Sequence, residues 1–406
     1  MTFVKKSSFI ALFYVLIATL LGVVLRLFPI TDINATFKFL VHTHSHIALL
    51  GWVYVALTTL LYHIGIDEVS KKKHALIFWS TQVTIVGMLV TFPFVGYAIY
   101  SIIFSTLFIL CSYWFFFFFK KRNNLNRDTI SYKFIQTSLL LMVLSSIGPW
   151  ALGAIMNTLG NTSYWYHNAI YFYLHFQYNG WFLFCLLGIF FFILEKQGVV
   201  FSNNRAKLFY HLLLVSCLLT LFLSFLWIQP VDFVYFLSGI GAIVQVFALY
   251  MFAKILIQSK NKLKELFSKF FINVLKGVVL LFAIKILLQL LTAFPSFVVL
   301  TTEITDFVIA YLHLVFLGII TPVILVFLHQ FKLISLSKVA TILFLVGFIF
   351  SEILIIYKGI AIWKQQFIPE YYYEYLVICS AFMPLGILGV VIQNRWAIFP
   401  TQTKSL

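Results

Sequence analysis

The stretch from Val41 to Trp52 reads VHTHSHIALLGW and lies inside a long apolar segment, residues 38–63. That segment is long enough to cross a hydrocarbon core roughly 30 Å thick, so it is predicted to be a transmembrane helix. Imidazole is costly in hydrocarbon and is rarely placed there without a partner. Three histidines within five residues of such a helix therefore indicate a functional site, because packing alone gives no reason for them.

Apolar segments of similar length follow one another along the chain. They predict an all-α polytopic membrane protein of about twelve transmembrane helices, with residues 1–406 forming a single membrane domain. The boundary between the third and fourth segments is the least marked, since only Pro93 and Gly96 indicate a turn there. The segments, numbered 1 to 12 in chain order, are residues 7–30, 38–63, 75–96, 98–119, 134–156, 168–194, 206–227, 231–257, 270–297, 304–330, 335–357 and 371–394.

Composition supports a protein whose solvent is lipid. Of the 406 residues, 62% are hydrophobic and only 10% are charged, whereas a soluble domain has about 25% charged residues. The lipid bilayer is therefore the predicted partner. The net charge of +16 comes from basic residues in short loops between apolar segments, which is a topology signal and not a nucleic-acid-binding surface.

The loop charges predict the orientation of the chain. Loops after even-numbered segments are basic, and acidic residues such as Asp32 and Glu303 lie in loops after odd-numbered ones. The positive-inside rule then places both termini in the cytoplasm, in a bacterial inner membrane. The first segment has no small-residue cleavage site, so it is expected to be a retained helix. The basic loop residues are Lys71, Lys72, Lys73, Lys120, Lys121, Arg122, Arg127, Lys196, Arg205, Lys207, Lys260, Lys262, Lys264, Lys332 and Lys338.

A histidine followed by a glycine five positions later occurs in segments 2, 6 and 10, at steps of four helices. This spacing predicts three pseudo-repeats of four helices, at about residues 1–133, 134–268 and 269–406. The glycine is expected to leave room for a flat macrocycle or for a second helix. The three pairs are His46 with Gly51, His175 with Gly180, and His313 with Gly318.

The candidate cofactor- and metal-binding residues are the histidines of these three segments. Because the segments run in the same direction, their histidines are expected at one depth. A step of four residues turns a helix by about 40° and a step of two by about 200°. His42 and His46 are therefore expected to share one face of segment 2, and His44 is expected to point the other way. Neutral imidazole is a ligand for haem iron and copper; the alternative is hydrogen bonding between helices. The five are His42, His44, His46, His175 and His313.

Other polar residues within the segments have two interpretations each. Arg26 lies near the depth of His42, where its guanidinium would suit a haem propionate, or it is an ordinary interfacial arginine. Lys285 and Glu352 are expected to form a structural ion pair, with a proton relay as the alternative. None of the four cysteines belongs to a C-x-x-C-H motif, so covalent c-type haem attachment is excluded.

Two related families share these motifs. His44, His46, Leu50, Gly51 and Trp52 resemble the H-x-H-A-G-x-L-G-W motif of the C-type haem-copper oxidases, and Val41-His42-Thr43 is similar to the L-H-T-N motif of that branch and of nitric oxide reductases. The H-x-H-x4-G spacing also resembles the H-A-H-E-M-L-F-G hallmark of the NnrS family. A late A-L-H-x4-G run of that family is similar to the stretch from Tyr311 to Gly318.

The resemblance implies b-type haem, with copper as a second metal, and a role in respiratory electron transfer or in nitric oxide and metal homeostasis. It also implies oxidase or electron-transfer subunits as partners. Two departures stand out: segment 7 reads His211-Leu212 where the oxidases have a His-His pair, and Ile47 replaces the glutamate of NnrS. A complete oxygen or nitric oxide reductase is therefore not expected. The alternatives are a twelve-helix transporter that uses these histidines for protons or metal, and an assembly factor.

Overall fold

The computed structural model describes residues 3–201 and 204–395. It contains twelve helices that are long and apolar enough to cross a membrane. In chain order these are α1 Phe3–Leu27, α2 Phe37–Gly65, α3 Lys71–Val95, α4 Ile99–Arg122, α5 Ile130–Thr158, α6 Tyr164–Lys196, α7 Asn204–Ile228, α8 Asp232–Gln258, α9 Lys269–Leu291, α10 Thr305–Gln330, α11 Lys338–Trp363 and α12 Tyr372–Gln393. The described residues form no β-strand, and the predicted all-α polytopic fold is confirmed.

The least marked helix boundary is also confirmed. Helix α3 ends at Val95, and Gly96 turns the chain with a positive φ of 57°. A Cβ at Gly96 would lie 2.3 Å from the Phe39 ring, so the turn needs glycine for its conformation and for the space.

The predicted end of segment 9 is wrong. Segment 9 was expected to reach residue 297, but α9 ends at Leu291 and a separate short helix runs from Pro295 to Glu303. Proline has no backbone N–H to donate inside a continuing helix, whereas it is well suited to the first turn of a new one.

Three helices change from α to π geometry immediately after the motif histidine. The π stretches are Ile47–Tyr54 in α2, Phe176–Phe182 in α6 and Leu314–Ile320 in α10, and the described residues contain no others. π-helical stretches are rare and are often found at functional sites. Each stretch contains the glycine that follows its histidine, so the sequence repeat coincides with a repeated backbone feature.

The same three helices are the most buried of the twelve. In their most apolar windows, 83% of α2, 78% of α6 and 67% of α10 is buried, against at most 50% in any other spanning helix. A helix enclosed in this way can carry polar side chains away from lipid. The motif histidines therefore lie on the three helices that are best able to hold them.

The chain forms two compact units. One contains the described residues up to Asn124 and those from Val323 onward, and the other is Leu125–Pro322. In the first unit α1 packs against α2 and α12, and α11 packs against α12. In the second, α5 packs against α6, α7 against α8, and α9 against the π stretch of α10. The boundary falls within α10, after Pro322.

Candidate functional site

The histidines of α2 lie on two faces of the helix, as the periodicity predicts. On one face the His42 and His46 rings lie 4.6 and 5.8 Å from the Tyr97 ring, measured between centroids. The His46 ring also packs against Phe92 at 4.4 Å. On the other face, His44 reaches α1 and bonds to the main chain of Ala18.

Two of these imidazoles have a defined tautomer. Nδ1 of His44 lies 2.9 Å from the carbonyl oxygen of Ala18, and Nδ1 of His46 lies 2.8 Å from the carbonyl oxygen of His42. A carbonyl oxygen can only accept a hydrogen bond, so in each ring Nδ1 carries the proton and Nε2 carries the lone pair. This is the usual arrangement of a histidine that binds metal through Nε2, because the second nitrogen is held by the main chain.

The Tyr97 hydroxyl lies 3.3 Å from Nε2 of His46. Since this nitrogen carries the lone pair, the hydroxyl donates to it. Tyr97 follows the turn at Gly96, so the tight connection between α3 and α4 brings the phenol to the histidine face of α2. A ligand that bound to Nε2 of His46 would displace this hydroxyl.

His175 is bonded through both ring nitrogens. Its Nε2 donates to the carbonyl oxygen of Cys217 at 2.8 Å, and its Nδ1 accepts from the side-chain amide of Asn179 at 3.2 Å. The Asn179 oxygen in turn accepts from the Lys285 ammonium at 2.5 Å. All three side chains are buried. For His175 to bind a metal, one of the two imidazole hydrogen bonds would have to break, so its ligand role stays a prediction.

Lys285 and Glu352, which were expected to form an ion pair, belong to different compact units, and each has a partner in its own unit. Lys285 bonds to Asn179, whereas Glu352 interacts electrostatically with Arg26. Nη1 of Arg26 also donates to the Ser380 hydroxyl. Arg26 therefore has protein partners on α11 and α12, and its role as a propionate ligand stays a prediction.

His313 is half-buried and lies where α10 changes to π geometry. The π stretch that it precedes packs against α6, with the Phe316 ring 6.1 Å from Tyr178 and 6.2 Å from Phe182. The π stretches of α6 and α10 thus meet through aromatic side chains. The ligand role of His313 stays a prediction.

The motif glycines accommodate side chains of neighbouring helices. A Cβ on Gly51 would lie 2.9 Å from the Tyr14 ring of α1, and one on Gly180 would lie 3.0 Å from Cβ of Leu141 on α5. Of the two expectations for these glycines, close helix packing is what the structure shows at both positions. A flat macrocycle does not fit against either glycine in this structure.

Of the five candidate histidines, His44 and His46 are the two whose Nδ1 bonds to a main-chain carbonyl oxygen, and their role as haem ligands stays a prediction. Haem iron takes one or two axial ligands from the protein, and each of these imidazoles is already oriented through Nδ1. A metal held by protein side chains alone usually needs three or more ligands. Within residues 3–201 and 204–395, no three His, Cys, Asp or Glu side chains lie close enough together to hold an ion.

Several groups at these sites are not indicated by the motifs. They are the phenol of Tyr97, the amide of Asn179 and the carbonyl oxygens of Ala18 and Cys217. Asn179 had a local signal, since it follows His175 by four residues and therefore lies close to it on a helix. The others come from distant parts of the chain and have no pattern of their own.

A scan against protein-family models finds no match, and a comparison with curated protein sequences finds none either.

Proposed function

We propose that this chain is a haem-binding redox protein of the bacterial inner membrane, in which α2 supplies axial imidazoles. The observation that carries the proposal is the pair of Nδ1 hydrogen bonds from His44 and His46 to main-chain carbonyl oxygens. These bonds hold each ring and leave the lone pair on Nε2, which is the nitrogen that most often binds iron.

The two faces of α2 suit two separate centres. His42 and His46 share the face next to Tyr97, and His44 faces α1. We assign the first pair to one centre and His44 to the other, with b-type haem as the cofactor and copper as a second candidate metal. The partners would be the surrounding lipid and an electron-transfer subunit, with both chain termini in the cytoplasm.

A bound haem would supply one-electron chemistry, and its potential would be set by the axial ligand and by burial. The chain itself would contribute three things. The carbonyl bonds orient the imidazoles and make Nε2 more basic. The burial of α2 would limit the access of water, and the Tyr97 hydroxyl, 3.3 Å from Nε2 of His46, is the partner of that nitrogen in the protein alone.

The motif resemblances support this proposal, and the departures from them limit it. The spacing from His44 to Gly51 is similar to that of the C-type haem-copper oxidases and of NnrS. Helix α7 reads His211-Leu212 and has no adjacent histidine pair. We therefore propose a haem-binding relative that lacks a complete oxygen- or nitric-oxide-reducing centre.

An optical spectrum of the detergent-purified protein, air-oxidised and then dithionite-reduced, tests the proposal. We expect a Soret band that shifts on reduction and a positive pyridine haemochrome assay. The band should be lost when both His44 and His46 are replaced by alanine. The matched control is His211→Ala, an exposed histidine whose replacement should leave the spectrum unchanged. A protein that stays colourless after expression with added haem would falsify the proposal.

A second candidate is a transporter driven by protons or by metal. The observation that favours it is the π stretch at the same place in α2, α6 and α10, because interruptions at corresponding positions of repeats are typical of transporters. Proteoliposomes loaded with a pH-sensitive dye distinguish the two functions. Proton flux under an imposed membrane potential, in a colourless protein, would favour the transporter.

A further inference from the structure

The second unit contains a buried hydrogen-bonded chain that the haem proposal does not use. It runs from the Lys285 ammonium through the Asn179 amide and the His175 imidazole to the carbonyl oxygen of Cys217, with distances of 2.5, 3.2 and 2.8 Å. Lys285, Asn179 and His175 are each at most 2% exposed. We infer that these three side chains form a site that binds one proton, held by Lys285 or by His175 but never by both.

The directions of all three hydrogen bonds follow from the acceptor at the end of this hydrogen-bonded chain, the Cys217 carbonyl oxygen. The Cys217 carbonyl oxygen requires a proton on Nε2 of His175, so Nδ1 has the lone pair. The Asn179 NH₂ group then faces Nδ1, which turns the amide oxygen toward Lys285. The amide therefore reports where the proton is: its oxygen faces whichever end carries the charge.

The groups that surround the site are compatible with only one bound proton. Among the described residues, Lys285 has a polar contact with the Asn179 oxygen and a cation–π contact with the Phe282 ring, 5.9 Å away. The other titratable groups that face the site are Cys217 from α7, Tyr178 from α6 and Tyr311 from α10. Thiols and phenols are ordinarily neutral at pH 7.

Helices α5 and α8, which also pack against α6 and α9, place no charged group against Lys285 or His175 in the described part of the chain. With no negative charge present, two protons would leave two positive charges separated by a single amide. In a low-dielectric interior the second proton would be strongly repelled by the first.

The site has two states of equal charge. In the first, Nζ is an ammonium and the Asn179 oxygen accepts from it. In the second, one N–H bond has broken at Nζ and one has formed at Nδ1 of His175, with water carrying the proton, and the amide has rotated by half a turn. Its oxygen then accepts from Nδ1 and its NH₂ donates to the amine lone pair, while the bond to the Cys217 carbonyl oxygen is kept in both states.

A small cavity lies at the lysine end of the site. Its volume is about 10 Å³, and Lys285, Tyr178, Phe282, Val315 and Ile319 are among the side chains that line it. This is about the room that one water molecule needs. The cavity lies beside the π stretch of α10, and Asn179 belongs to the π stretch of α6, so both interrupted helices contribute to the site.

Nitrogen-15 NMR of the protein in phosphatidylcholine vesicles, with labelled histidine and lysine, tests the inference. The signals are assigned as those lost in His175→Gln and Lys285→Met. Between pH 5 and 10 we expect a single step that takes up one proton, in which the Lys285 and His175 signals change at the same pH and His175 is never an imidazolium while Lys285 is an ammonium. If His175 becomes an imidazolium while Lys285 stays an ammonium, the inference is overturned.

The variant Lys285→Met gives a second readout. Without the lysine charge, His175 should take up the proton itself, at a pH at least one unit higher than in the wild type, which is a tenfold gain in proton affinity. The matched control is Lys276→Met, an exposed lysine on the same helix, which should leave the His175 signals unchanged. An unaltered His175 titration in Lys285→Met would also overturn the inference. Neither result bears on the haem spectrum, because none of these residues lies on α2.

Discussion

The ammonium nitrogen of Lys285 donates a 2.5 Å hydrogen bond to the side-chain oxygen of Asn179, which lies 106 positions earlier in the chain. The bond joins α9 to the π stretch of α6 in the interior of the second unit. A buried lysine needs such an acceptor, because an ammonium in hydrocarbon without a partner is very costly.

Removing the acceptor should therefore destabilise the protein more than removing the charge. Asn179→Leu leaves the ammonium and Nδ1 of His175 without their partner, and we expect a loss of about 1–3 kcal/mol. Lys285→Met removes the charge itself and should cost less than about 1 kcal/mol. Unfolding midpoints in mild detergent measure both, and the double variant should be more stable than Asn179→Leu alone. Additive losses would show that the two residues are not coupled.

Gly51 should not tolerate a methyl group. Its Cβ would lie 2.9 Å from the Tyr14 ring, and overpacking of this kind costs about 1–3 kcal/mol. Gly277→Ala is the matched control, because a Cβ there meets nothing within 4 Å and alanine is the better helix former by about 1 kcal/mol. We expect the thermal midpoint to fall in Gly51→Ala and to hold or rise in Gly277→Ala. Equal midpoints would contradict the close packing of α1 on α2.

Glu195, at the end of α6, caps the start of α5. Its carboxylate accepts from the backbone N–H groups of Ile130 and Ser131 at 3.1 and 3.2 Å and from the Ser131 hydroxyl. Glu195→Ala leaves two first-turn N–H groups without their acceptor and removes a negative charge that interacts favourably with the helix dipole, so we expect a loss of about 1–2 kcal/mol. Hydrogen exchange at these two amides should become faster.

The control for the cap is Glu265→Ala, which removes the partner of an exposed pair with Lys262. Pairs of this kind contribute little to stability, so its midpoint should match the wild type. Unchanged exchange at Ile130 and Ser131 in Glu195→Ala would mean that the cap does not hold the first turn.

Arg26 and Glu352 should behave as a coupled pair of charges. Arg26 interacts electrostatically with Glu352 and bonds to Ser380. Arg26→Gln and Glu352→Gln each leave the other charge without its opposite in a low-dielectric setting, so each should lower the thermal midpoint. The double variant should recover part of the loss. If the haem assay is positive and Arg26→Gln abolishes the haem without changing stability, the propionate role would be supported instead.

The sequence was sufficient to predict the helices and which residues share a helix face. Twelve apolar segments predicted twelve spanning helices, and the spacing of His42, His44 and His46 predicted which histidines share a face. Both predictions depend on properties of a single helix, its length against the bilayer and its 3.6-residue turn. The π stretches were not predicted, although each begins after a motif histidine that the sequence repeat had identified.

The partners of the buried polar residues could not be predicted in this way. Lys285 and Glu352 were expected to pair by charge, and within its own unit Lys285 bonds to Asn179 while Glu352 interacts electrostatically with Arg26. In a membrane protein the helices are apolar all round, so hydropathy does not show which face meets which neighbour. Small residues such as Gly51 and Gly180 set the close contacts, and their neighbours Tyr14 and Leu141 come from other helices.

By itself, then, the sequence determined that the chain has about twelve apolar helices, with the motif histidines on α2, α6 and α10. Only the tertiary structure decided which nitrogen of each imidazole is bonded and to what. At His44 and His46 the main chain accepts from Nδ1, whereas at His175 the Cys217 carbonyl oxygen accepts from Nε2. The reason is physical: at His44 and His175 the acceptor is a carbonyl oxygen that another helix brings to the ring, and no local pattern encodes it. Of these three rings, only His46 donates within its own helix, to the His42 carbonyl oxygen one turn earlier.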